Sequence, residues 1–130
     1  MTNEPGQLAL MGDTLGAAQI SVEGGGMFLV DGVGVAHFLV HDGAGATDAL
    51  RIAGLDVVSC REVLVQRLDQ DTPGQLGLFC TALAVAGVNI ETLYSDHDHQ
   101  LVVIVDDHER GEQVSRDWTA AQSARTGEER

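Results

Sequence analysis

The sequence predicts an α+β fold made of two copies of one small unit, each with helices on one face of an antiparallel sheet. Three observations predict it. The chain repeats itself: residues 3–23, NEPGQLALMGDTLGAAQISVE, align without gaps on residues 71–91, DTPGQLGLFCTALAVAGVNIE, at a shift of 68 (73 − 5). Pro5, Gly6, Gln7, Leu8, Leu10, Leu15, Ala18 and Glu23 recur as Pro73, Gly74, Gln75, Leu76, Leu78, Leu83, Ala86 and Glu91. A repeat of this length within 130 residues marks two copies of one structural unit. Each copy also switches between helical and alternating apolar periods, and turn signals separate those segments.

The second copy reads more cleanly. Residues 62–68 (EVLVQRL) alternate as a strand, with Val63, Val65 and Arg67 on one face and Leu64, Gln66 and Leu68 on the other. After a polar loop, Thr72-Pro73-Gly74-Gln75 fits a helix start. Thr72 is the expected N-cap, Pro73 the first helical residue, and Gln75 lies three residues after the cap. Leu76, Phe79, Cys80 and Leu83 follow at i, i+3, i+4 and i+7 as one apolar stripe. Gly87 stands where a helix closes in a left-handed turn. Strands are expected at 88–94 and 100–105 around a polar turn at 95–99, then a helix over 107–118 carrying Val114 and Trp118.

The first copy repeats this scheme from its helix onward. Leu8, Met11, Gly12 and Leu15 form the stripe, and residues 20–30 and 33–40 form a hairpin about Asp31-Gly32. Residues 44–53 read as a small helix ahead of Gly54, and 56–60 as a fourth strand. The order is that of a ferredoxin-like βαββαβ plait, two in tandem. The first copy begins almost at its helix and so lacks its first strand, and no convincing fourth strand follows Trp118. Either the start lies upstream or another segment fills the vacancy. The expected division is a first domain at 1–61, a second at 62–118, and a disordered tail over 119–130, where large apolar residues are nearly absent.

Composition excludes several functions. Seven arginines, no lysine and twenty acidic residues give a net charge of −13, a field that repels nucleic acid and anionic lipid. The longest aliphatic run, Leu101 to Val105, falls far short of the ~20 residues of a membrane span. The polar start MTNEPGQ has no secretory character, and Cys60 and Cys80 make no disulfide framework. A cytoplasmic protein with reduced thiols is expected. Aromatics at 4% exclude an RNA-binding sheet. The loop at 69–75 has no cysteine for metal transfer and no arginine for phosphate.

The run LDQDTPGQLGLFCTALAVAGVNIETLY, residues 68–94, resembles the ACT domain, a small ligand-binding module attached to many enzymes of amino-acid metabolism. The matching pattern is an apolar strand, an acidic residue near Pro-Gly, an apolar helix, Ala-Gly, and a Val/Ile-Asn-Ile strand. Both copies carry it, so the resemblance spans residues 3–118. It implies modules that associate side by side and bind an amino acid or similar small molecule at a domain interface, without catalysis. The loop before the first helix and the start of the next strand usually form that site.

On these residues the expected ligand contacts are Asp71, Thr72, Gly74, Gln75, Leu76, Asn89 and Ile90 in the second copy, with Gly6, Gln7 and Ser21 in the first. A helix N-terminus offers free N–H groups and a positive dipole end to a carboxylate, and the Asn89 amide both donates and accepts. The plainer readings are that Thr72 and Gln75 only cap a helix, and that Asn89 serves its own backbone. Glu4 replaces Thr72 in the first copy and would repel an anion there. Asp96, His97, Asp98 and His99 resemble metal ligands but fit a solvated hairpin turn better, so no metal, cofactor or catalytic residue is expected. The reading is a free-standing, non-enzymatic tandem ACT regulator, homodimeric, with a small-molecule ligand and no nucleic-acid or membrane partner. Its alternative is a ligand-free protein–protein interaction module.

Overall fold

In a computed structural model describing residues 1–69 and 71–128, the chain is α+β, with two small antiparallel sheets and four helices among those residues. Two compact units divide it, Met1–Arg61 and Glu62–Arg130. The first contains α1 (Gln7–Ala17), β1 (Gly24–Val30), β2 (Val33–Leu39) and α2 (Gly43–Ile52). The second contains β3 (Leu64–Gln66), α3 (Gln75–Val85), β4 (Ile90–Ser95), β5 (Leu101–Val105) and α4 (His108–Glu128).

The second unit is organised around β5. Its sequence LVVIV is a continuous apolar run, as expected of a strand covered on both faces. It is indeed the central strand, in the order β3-β5-β4, and Val102 and Val103 are both fully buried. Leu64, Leu101, Val103 and Val105 of the sheet close over Phe79 and Leu83 of α3 and over Val88, with Val114 and Trp118 of α4 packed against them. The Phe79 and Trp118 rings meet edge to face, centroids 5.4 Å apart at 81°.

Helix α4 corrects the expectation of a disordered tail from residue 119. It continues ten residues past Trp118, to Glu128, while residues 129 and 130 lie outside the described residues. A polar anchor explains its extension. Gln66 is buried in β3, where its Oε1 accepts from the Ser115 hydroxyl at 2.6 Å and its Nε2 donates to Thr119 Oγ1 at 3.2 Å. A buried amide satisfied in this way fixes the helix onto the sheet, and Ala120, Ala121 and Ala124 favour its continuation.

The first unit is lighter. Met11 and Leu15 of α1 and Ala46 of α2 are its buried apolar residues, with Ile20, Val22, Phe38, Val40, Leu50 and Leu55 packed around them. Asp31 and Gly32 both take left-handed angles (φ 50° and 79°), the two-residue turn whose twist suits a hairpin. The missing first strand has a remnant. Thr2 bridges Val33, the Met1 N-terminus donates to the Gly34 carbonyl at 2.8 Å, and the Gly34 N–H donates to the Met1 carbonyl at 2.9 Å. Met1 and Thr2 thus stand beside β2 as β3 stands beside β5.

Residues 56–60 do not form the expected fourth strand. In a βαββαβ plait the fourth strand pairs with the first, and here that neighbour is two residues long. Of residues 20–23, expected to open β1, Glu23 still donates its N–H to the Leu39 carbonyl at 2.8 Å, but 20–22 stay outside the strand because β2 ends at Leu39. Ile20 and Val22 serve the core as coil.

Candidate functional site at the helix N-termini

Both repeated Pro-Gly-Gln segments deliver the chain into a helix in the same way. Gly74 is the N-cap of α3 at φ 89°, ψ 0°, and Gly6 the N-cap of α1 at φ 91°, ψ −5°. These are the angles of the third residue of a type II turn, for which proline is favoured one position earlier. A side chain there would be strained whatever the space around it, although nothing lies within 4 Å of a Cβ at either glycine. The Gly74 carbonyl accepts from the Leu78 N–H at 3.1 Å, and the Gly6 carbonyl from the Leu10 N–H at 2.9 Å.

The expected cap is corrected accordingly. Thr72 is not the N-cap and Pro73 is not the first helical residue, because the helix begins at Gln75. The Thr72 hydroxyl instead donates to Asp69 Oδ2 at 2.6 Å, while Asp69 Oδ1 accepts from the Asp71 N–H at 3.0 Å. Asp69 therefore shapes the loop as an aspartate turn. The signal was present in the sequence as Asp three residues ahead of Thr-Pro-Gly. Among the described residues neither helix receives a side-chain cap, and neither has an acidic residue in its first turn, so no described side chain compensates either positive end.

Gln75 adds a second feature to the α3 end. Its Oε1 is buried and has no hydrogen-bond partner among the described residues. Asp71, Thr72 and Gly74 are exposed, and Leu76 is half-exposed. Phe79 and Leu83 of the expected stripe enter the core, whereas Leu76 does not.

Asn89 and Ile90 lie elsewhere. They follow the C-terminal end of α3, and the eleven residues of that helix rise about 16 Å between the two places. One unit therefore does not bring the Gly74 loop and the Asn89 amide onto one small molecule. The Asn89 backbone is clamped by Asp106: its N–H donates to Asp106 Oδ1 at 2.9 Å and its carbonyl accepts from the Asp106 N–H at 3.1 Å. Ile90 is half-buried against the core, opposite Val105. Val88, just ahead of Asn89, is a core residue. In the first unit, Gly6 and Gln7 occupy the N-terminal end of α1, and Ser21 is exposed ahead of β1. The Gln7 N–H reaches the Glu4 carbonyl at 3.4 Å.

The SDHDHQ segment is a hairpin turn closed by Asp96, whose Oδ1 accepts from the Asp98 and Gln100 N–H groups at 2.9 and 2.8 Å. Arg67 pairs with Asp98 at 3.0 Å on the surface. No group of three or more His, Cys, Asp or Glu residues among those described is placed to hold a metal ion. One polar cluster had no sequence signal: His108 Nε2 lies 3.1 Å from Glu62 and 3.6 Å from Glu112 at the start of α4.

Tyr94 lies next to this turn. Burial first, and the Asp96 charge second, raise its phenol above the ordinary value near 10. A phenol raised in the folded state contributes stability that is present below its unfolded pKa and lost as pH rises through the folded one. Tyr94 is the single tyrosine, so absorbance at alkaline pH reads it directly. Its titration midpoint is expected above that of the urea-unfolded chain, and coincident midpoints would refute this environment.

No family model matches the chain, and no curated protein matches it. Among solved structures it is similar to the crystal structure of protein BT0572 from Bacteroides thetaiotaomicron. The TM-score is 0.78 at 20% identity, covering 92% of this chain and 83% of that one. Identity this low shows the fold alone. That fold is α+β, compatible with two ferredoxin-like units. No helix among the described residues is long and apolar enough to cross a membrane.

Proposed function

We propose that this chain is a tandem ACT-type protein that binds an amino acid or a closely similar small molecule and regulates a partner without catalysis. The observation that supports it best is the doubled helix entry, with Gly6 and Gly74 in nearly identical left-handed caps and, among the described residues, no side chain capping either N-terminus. Free N–H groups at a dipole end suit a carboxylate. A zwitterion also suits the charge balance, because a net −13 disfavours simple anions but not a ligand that carries its own ammonium.

The separation of Gly74 from Asn89 shapes the proposal. A ligand meeting both needs two units, one supplying the helix end and the other the strand start. That requirement fits a homodimeric, cytoplasmic regulator whose ligand sits where ACT units associate. The α3 end is the better site, because Gln75 Oε1 has no partner there among the described residues while Glu4 opposes an anion near α1.

A thermal-shift panel of single amino acids tests the reading. A ligand at a hundred times its Kd adds about 2.7 kcal/mol to stability, enough to raise the midpoint visibly. Asn89→Ala is expected to weaken the ligand found by about 1–3 kcal/mol, read by calorimetry, and Ser21→Ala to weaken it less. A flat panel would sink the binding reading. It would leave the alternative, a protein–protein interaction module, which the exposed Phe28, Leu29, Leu78 and Val85 favour. Gly74→Val is a poorer probe, since strain at its positive φ would confound any loss of binding.

A further inference from the structure

We draw no further inference here: the strongest candidate, the charge-free outer face of α3 around Leu76, Leu78 and Val85, is an exposed apolar patch, and nothing in the structure shows what covers it.

Discussion

Phe79→Ala is expected to lower the stability of the second unit by about 3–5 kcal/mol, the range for emptying a buried aromatic site. Phe79 is fully buried, and it touches both layers of that unit: it lies in the cluster with Leu64, Val103 and Val105 of the sheet, and its ring meets Trp118 edge to face. The site cannot collapse cheaply, because Leu83 and Val103 around it are also fully buried. The urea midpoint should fall with its slope unchanged, as for a loss of packing without a change in exposed surface. Trp118 is the chain's single tryptophan, so its emission reports this unit alone. Its indole Nε1 is buried without a partner among the described residues, and the new space should let water reach it and shift the emission to the red. Val85→Ala on the same helix is the control. Val85 is 84% exposed, and its loss should stay within about 0.5 kcal/mol. Equal effects at the two positions would mean that α3 does not pack as described.

The two positions show what the sequence could reveal and where it stopped. The spacing of Phe79 and Leu83 carried α3 correctly, and the repeat extended the same reading to Met11 and Leu15 of α1. Leu76 and Leu8 belong to the same apolar pattern yet remain 48 and 40% exposed, because periodicity identifies a stripe but not where its cover ends. Strand lengths were overestimated wherever a partner was missing. Residues 20–22 and 56–60 are apolar enough for strands, but a ladder needs a strand opposite, and neither pairs with one among the described residues. The helical tail was illegible for a different reason. Its anchor, Gln66 to Ser115 and Thr119, joins residues 49 and 53 positions apart, and nothing local announces it.

The candidate site followed the same division. Pro-Gly at the head of each helix was legible, since the doubled pattern and proline's preference before a left-handed residue leave few alternatives. The capping role given to Thr72 failed because Asp69 competes for its hydroxyl. Asn89 seemed to join Gly74 because the two belong to one motif. The helix between them separates its ends by its own length, a fact of geometry that a linear pattern conceals.

Gly25→Ala is expected to open the first unit while the second stays folded. Gly25 lies in β1 at φ 126°, where an L-residue is strained by roughly 1–2 kcal/mol. Space is the larger difficulty. A Cβ at this position would run into the His37 carbonyl oxygen and lie 2.8 Å from the Phe38 Cα. Both obstacles are backbone, so β2 itself would have to move, adding about 1–3 kcal/mol of overpacking. The first unit has little to spend against such a cost, since its buried apolar residues are Met11, Leu15 and Ala46. Amide hydrogen exchange should therefore accelerate across β1 and β2 by two orders of magnitude or more, while amides of β5 keep their protection. Trp118 fluorescence should not change, because it belongs to the other unit. Gly26→Ala separates crowding from a general effect of losing a glycine. Its new methyl would lie 3.4 Å from the Phe28 ring, a contact with a side chain that can yield. Protection in β1 and β2 that survives Gly25→Ala as well as it survives Gly26→Ala would show that the two strands do not approach as closely as the register requires.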